Sequence, residues 1–210
     1  MPIISSKTRY AFGFLIFVCF LVAVLVSCLN TNNNADAVYR YDNYLKTPPS
    51  IRVLLHNNIK EIQIEINQPY SISDFKSDEI LADRENLKKS ILYLKSGDFR
   101  TKPLASEPTH NAPSNFIKAN GNVSIFTSKG FVKLKKSKYC GKLILIPKED
   151  DRFSILEEIG LEEYLPGVVE GEMPMMWNDD ALQAQVIAVR TYVIYKRKIK
   201  ANSLYHINKL

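Results

Sequence analysis

Three cysteines among 210 residues rule out a disulfide scaffold and a four-cysteine zinc module. A catalytic metal would need unusual ligands, and neither a metal nor another cofactor is expected. Eight glycines and ten prolines are too few for a collagen-like chain. What is present, 46% hydrophobic and 24% charged residues with 28 Lys and Arg against 22 Asp and Glu, suits a folded chain with one core of ordinary size.

Charge is missing altogether from residues 10–29, and acidic charge is missing from everything before Asp36. Lys7 and Arg9 precede the uncharged run, an asymmetry that keeps a short N-terminus inside and sends the rest outward. Twenty residues at about 1.5 Å each reach about 30 Å, enough to cross a bilayer's hydrocarbon core. Residues 1–9 therefore read as a cytoplasmic n-region and 10–29 as a transmembrane anchor. Residues 30–50, polar and turn-rich, read as a linker to an envelope-facing domain at 51–210. A second reading stays open. The run ends Leu25-Val26-Ser27-Cys28, which is similar to a bacterial lipobox, where cleavage leaves a lipidated Cys28 as the mature N-terminus. For a domain held outside the membrane, nucleic acid is not an expected partner.

Within the domain, Ile51-Arg52-Val53-Leu54-Leu55 is a β-branched, apolar run, and Ile62, Ile64 and Ile66 alternate with Glu61, Gln63 and Glu65. Both predict strands, with Asn57-Asn58 as a hairpin turn between them. Residues 72–100 carry no clear period. Pro103, Pro108 and Pro113 predict a surface loop over 101–115, with His110 solvated. Strand signals resume at 123–126, 131–135, 143–146 and 153–156, so residues 51–156 form a β-rich half. Lys129, Lys133, Lys135, Lys136, Lys138 and Lys142 crowd one part of it. They read as a solvated face, with an anionic wall polymer as the functional alternative.

Residues 157–200 read as a helical region. Leu161, Tyr164, Leu165, Val168 and Val169 recur at the spacing of one buried helix face, with a bend expected at Pro166-Gly167. A second helix starts at Asn178, a good N-cap. Asp179 and Asp180 stand in its first turn, and Lys196, Arg197, Lys198 and Lys200 close it with favourable charge. Its few polar residues predict that it is mostly buried. The fold class is therefore α+β: an N-terminal membrane helix, a β-rich half, then two packed helices.

Eleven residues on from Leu161, at about 100° each, Glu172 returns to within about 20° of the apolar stripe, whereas Glu162, Glu163 and Glu170 lie off it. A carboxyl carried into a cleft suits a general acid, and a glycosidic oxygen is a poor leaving group until protonated. The alternative is that Pro174 ends the helix early and Glu172 caps a loop or pairs with Arg190. Arg190 and Gln185 on the second helix are either site residues or a structural pair. Tyr164 and Trp177 are either core residues or substrate-binding, sugar-stacking surfaces.

The block Leu161-Glu162-Glu163-Tyr164-Leu165-Pro166-Gly167-Val168-Val169-Glu170-Gly171-Glu172-Met173-Pro174, then Trp177, then 181–192 (ALQAQVIAVRTY), resembles the stage II sporulation protein D family, which includes the amidase-enhancer proteins. Ile51–Leu55 resembles the family's opening strand, and Tyr139-Cys140-Gly141-Lys142-Leu143 its Y-R-G-x-L turn with Cys in place of Arg. The resemblance covers roughly residues 51–195. It implies a membrane-anchored lytic transglycosylase that cuts peptidoglycan glycan strands. Glu172, in the EMP motif, would be the catalytic acid, first protonating the glycosidic oxygen and then taking the C6-hydroxyl proton to form a 1,6-anhydro end. It also implies as partners the glycan strands, the membrane, and another cell-wall hydrolase or a chain completing the domain. Family domains continue past the RTY helix into a second half with an S-T-Q-x-Y-x-G-like segment, whereas this sequence stops at Leu210. It therefore reads as a C-terminally truncated relative, and a non-catalytic peptidoglycan-binding or amidase-enhancing module is the alternative function.

Cell fractionation separates the readings of the N-terminus. Both predict a membrane-bound protein whose domain is degraded by protease added to spheroplasts. Globomycin and Cys28→Ala change its processing only where Cys28 is lipidated. A soluble, protease-protected protein contradicts both.

Overall fold

The computed structural model describes residues 49–104, 117, 121–174 and 176–209. The expected membrane segment at 10–29, Cys28, most of the linker and His110 lie outside the described residues. Among the described residues, no helix is long and apolar enough to cross a membrane.

In chain order the described strands are β1 (Ser50–Ile59), β2 (Glu61–Ile66), β3 (Tyr70–Asp74), β4 (Ile80–Arg84), β5 (Leu87–Lys95), β6 (Asp98–Pro103), β7 (Val123–Phe126), β8 (Val132–Leu134), β9 (Ser137–Tyr139), β10 (Lys142–Pro147) and β11 (Phe153–Gly160). Helices α1 (Leu161–Glu172) and α2 (Asp179–Ile199) follow, then the short strand β12 (Ile207–Asn208). The α+β class and the order of a β-rich half before two helices are as expected. The strands form a seven-stranded sheet, β12-β1-β11-β10-β7-β3-β4, and a five-stranded sheet, β6-β5-β2-β8-β9. Every described strand pair is antiparallel except β1 with β12.

Alternation explains the core. Ile51, Val53 and Leu55 of β1 are buried, as are Ile62, Ile64 and Ile66 of β2, while their neighbours in sequence are partly or fully exposed. Phe99 of β6 meets Phe153 of β11 edge to face, with ring centroids 5.5 Å apart, and so joins the two sheets. Both rings are fully buried, and each contributes about 1.5–3 kcal/mol by leaving water. The other face of the larger sheet carries a second cluster, Ile144, Ile146 and Leu156 against Leu54, Phe75 and Tyr205.

Three expectations are corrected. Asn57-Asn58 is not a hairpin turn: β1 runs through both residues and pairs with β11, whereas β2 pairs with β5 and β8 in the other sheet. The asparagines occupy an irregular end of β1. Asn58 has a φ of 53°, and Ser154 Oγ donates to Asn57 Oδ1 at 2.9 Å. Asparagine tolerates the left-handed region, so its turn chemistry serves a bulge instead of a reversal. The stretch 72–100, which shows no clear period, is mostly strand, and β6 extends into the expected loop as far as Pro103.

The third correction concerns α2. Asn178 caps it as expected, accepting the Asp180 N–H at 2.8 Å. However, only Gln185, Val189 and Val193 are buried, and Ile187 is 61% exposed. One face of α2 packs; no described element covers the apolar residues on the other sides.

The chain end is fastened by His206, which is buried just before β12. Its Nδ1 accepts the Arg52 N–H at 3.0 Å, and its own backbone N–H donates to the Arg52 carbonyl at 2.8 Å. Burial, followed by the charges of Arg52, Arg197 and Lys200, lowers the ring's pKa to about 4. An unfolded histidine takes up its proton near pH 6.5. The stabilisation is therefore present above pH 6.5 and lost as the pH falls towards 4. Thermal melts from pH 7.5 downward should show falling stability across this window, and His206→Asn, which keeps an acceptor but does not titrate, should flatten the curve. Parallel losses in both proteins contradict this assignment.

Candidate active site

β11 passes into α1 without a connecting loop. Gly160 is the N-cap residue, Leu161 is fully buried, and the Leu161 N–H donates to the Pro49 carbonyl at 3.0 Å. The stripe Leu161, Leu165 and Val169 seats the helix, and α1 continues through Pro166 until Met173 takes an extended conformation. Burial along the stripe stops at Val169. Glu172, although at the angle of the stripe, is the last helical residue and is exposed. Of the expected core or cleft, the core is thereby excluded: Glu172 has the direction of the stripe, but among the described residues no element covers the end of the helix.

Among the described residues, Gln185 of α2 reaches it. Gln185 is 7% exposed, and its Nε2 donates to Glu172 Oε2 at 2.5 Å. Oε1 makes no hydrogen bond among the described residues. Tyr164 stands two turns before Glu172 and is half-buried. Burial first, then the negative charge of Glu172, Tyr192 and Glu157, pushes its hydroxyl up to about 12. Trp177 lies in the connection between the helices, 45% exposed, with its backbone N–H donating to the Pro174 carbonyl at 3.0 Å. It is not a core residue.

Arg190 pairs with Glu162. Its Nε donates to Glu162 Oε1 at 2.9 Å and its Nη2 to Glu162 Oε2 at 2.7 Å, a bidentate clamp near the start of α1. Of the two readings left open for Arg190, this geometry is that of a structural pair between two helices. Glu172 to Gln185 and Glu162 to Arg190 run in opposite senses along the two helices, so α2 folds back over α1.

Two residues of this neighbourhood escape the sequence reading. Tyr192 is one, placed near Tyr164 by its charge effect and carrying Lys196 Nζ 5.3 Å from its ring centroid. It is seven residues from Gln185, hence on the same helix face. Glu157 is the other. It is 6% exposed, stands opposite Val53 and Leu143, and accepts the Gly141 N–H on Oε1 at 3.0 Å. Desolvation raises its pKa against the opposing pull of Gly141, Lys209 and Cys140. A signal for it exists: Phe153, Ile155 and Glu157 alternate, so period 2 carries the acid inward. Among the described residues no cluster of metal-ligating side chains forms.

The helical hairpin is also where the chain resembles known proteins. A family model described as Stage II sporulation protein matches residues 149–209, a narrower span than 51–195. An uncharacterized protein of Brachyspira hyodysenteriae is 38% identical over 78 residues, covering 37% of this chain and 21% of that protein. Stage II sporulation protein D of Bacillus amyloliquefaciens is 48% identical over 48 residues, 23% of this chain and 13% of the relative. Its counterpart in Bacillus subtilis is 40% identical over 67 residues, 32% and 18% respectively. The match thus spans about a fifth or less of these relatives' lengths. No solved structure matches. The segment that carries α1, α2 and their EMP and RTY blocks is thus similar to the Stage II sporulation protein family.

Proposed function

We propose that this chain is a membrane-tethered, lytic transglycosylase-like protein of the cell wall that acts on peptidoglycan glycan strands, with Glu172 as general acid and base. The observation that carries the reading is the hydrogen bond from buried Gln185 to Glu172 Oε2 at 2.5 Å, which fixes an exposed carboxyl by one oxygen. Such a carboxyl can meet a polymer too large to enter a closed cavity. Its acid form gives a proton to the glycosidic oxygen between N-acetylmuramic acid and N-acetylglucosamine. The resulting carboxylate then takes the C6-hydroxyl proton as that oxygen attacks the anomeric carbon and closes the 1,6-anhydro ring. Water is neither activated nor consumed, so one carboxyl serves both steps. Most glycosidases need a second. On this reading Tyr164, two turns before the acid, and Trp177, in the connection after it, offer faces for sugar rings, and a strand lying over them excludes water from the reacting bond.

A second reading, a glycan-binding or amidase-enhancing module without cleavage, is favoured by how little of the relatives' length is matched. The two separate in one assay. The full chain in detergent is incubated with glycan strands, with and without stem peptides, and products are read by mass spectrometry. Anhydromuramyl ends support the enzyme, and binding without them selects the module.

Two variants follow. Glu172→Gln should keep the fold and reduce anhydromuramyl products by about 100-fold or more, while Glu170→Gln, whose side chain is exposed on α1, should change them less than about twofold. Full activity in Glu172→Gln contradicts the assignment. Arg190→Ala should lower stability by about 0.2–1 kcal/mol, the range for an exposed ion pair, and leave glycan binding unchanged. Intact stability with lost binding would make Arg190 a site residue after all.

A further inference from the structure

α2 carries a second stripe on the side away from its packed residues Gln185, Val189 and Val193. At about 100° per residue, Asp180, Ala184, Ile187, Thr191, Ile194 and Lys198 fall within about 80° of one another, opposite the packed side. They follow at alternating intervals of four and three, the spacing of a coiled-coil seam. All six are exposed, Ile187 to 61% and Ile194 to 41%. Thr191, the polar residue in the middle, donates its hydroxyl to the Ile187 carbonyl of its own helix at 2.8 Å, so it asks for no polar partner across the seam.

Two isoleucines on a surface need no explanation by themselves. What identifies the occupant is the charge at the two ends of the stripe. Asp179 and Asp180 stand in the first turn of α2, and Lys196, Arg197 and Lys198 in the last. Among the described residues neither Asp180 nor Lys198 makes an ion pair. Laid antiparallel on a second copy, the stripe complements itself. With Asp180 facing Lys198, Ala184 faces Ile194 and Ile187 faces Thr191, and each pair occurs twice about the two-fold axis. A small residue opposite a large one lets such a seam close. A parallel copy would set acid on acid and base on base.

We propose that the outer stripe of α2 is a homodimer seam, through which two copies of the chain pair by antiparallel α2 helices. In this register Tyr195, 54% exposed, faces Gln183 of the other copy, beside the open groove lined by Leu182, Val186 and Ile187. The opposed helix dipoles favour the same arrangement. One helix a side is small for a stable complex, so the association is reversible and depends on concentration. The seam uses no residue of the candidate active site, and the proposal is independent of the function proposed above.

The test is sedimentation equilibrium of the full chain in density-matched detergent over a concentration series, with circular-dichroism melts of each variant. The wild type should pass from monomer to dimer. Ile187→Glu should keep the fold and weaken the dimer by about tenfold or more, because it buries a charge in the seam. Asp180→Lys and Lys198→Asp should each weaken it by about threefold or more. The double variant should return to within about twofold of the wild type, because the reversed charges again face their opposites. Only the antiparallel register gives that rescue. Where a charge reversal unfolds the chain, Ala184→Trp, at an exposed position, takes its place and must weaken the dimer by crowding Ile194. A wild type that stays monomeric overturns the proposal. So does a dimer that Ile187→Glu or Ala184→Trp leaves unchanged, or a pair of folded charge reversals that do not rescue each other.

Discussion

The geometry of the C-terminal half depends on one continuous stretch of backbone, in which β11 becomes α1 at Gly160 with no loop between. β11 is paired along its length on both sides, with β1 and with β10, so its position is the most constrained in the larger sheet. The helix inherits that position. Leu161, fully buried one residue past the strand, fixes the rotation of α1, and each acid that follows is placed by residue count alone. At the far end of α2, Arg197 Nε donates to the Ser50 carbonyl at 2.9 Å, and the helical hairpin is tied to the start of β1 at two points.

From this frame the acids divide by environment. Glu157, still in the strand, is buried under Gly141; Glu162 is drawn into the Arg190 clamp; Glu172 ends the helix in the open with one oxygen held. The same residue type thus supplies a buried carboxyl, a structural ion pair and a presented carboxyl. Burial first, then nearby negative charge, holds the Tyr164 hydroxyl protonated up to about pH 12.

The pattern in the sequence was most legible where a single period governs a segment. Alternation over 61–66 gave β2, and helical spacing gave the buried residues Leu161, Leu165 and Val169 together with the Asn178 cap. It failed where tertiary partners decide. Asn57-Asn58 has turn chemistry, yet β1 and β2 belong to different sheets, and no local signal says which sheet a strand joins. The apolar composition of α2 predicts burial, but burial needs an element to cover it, and only one of its faces has one among the described residues. Glu172 shows both effects: its angle was readable from the helix period, and its exposure was not. Glu157 was overlooked because a lone acid at the end of an apolar run resembles the end of the strand.

The central claim is that the carboxyl held by Gln185 is where a glycan strand meets this chain. The most direct measurement is an NMR titration of the 15N-labelled chain with a purified glycan oligosaccharide, following the Gln185 side-chain amide and the Trp177 indole N–H. Both should shift in a saturable, parallel manner, with the Gln185 response lost in Glu172→Ala because the bond that orients the amide is gone. Saturable shifts confined to the lysine-rich β8 and β9 hairpin, with Gln185 and Trp177 unmoved, would contradict the account.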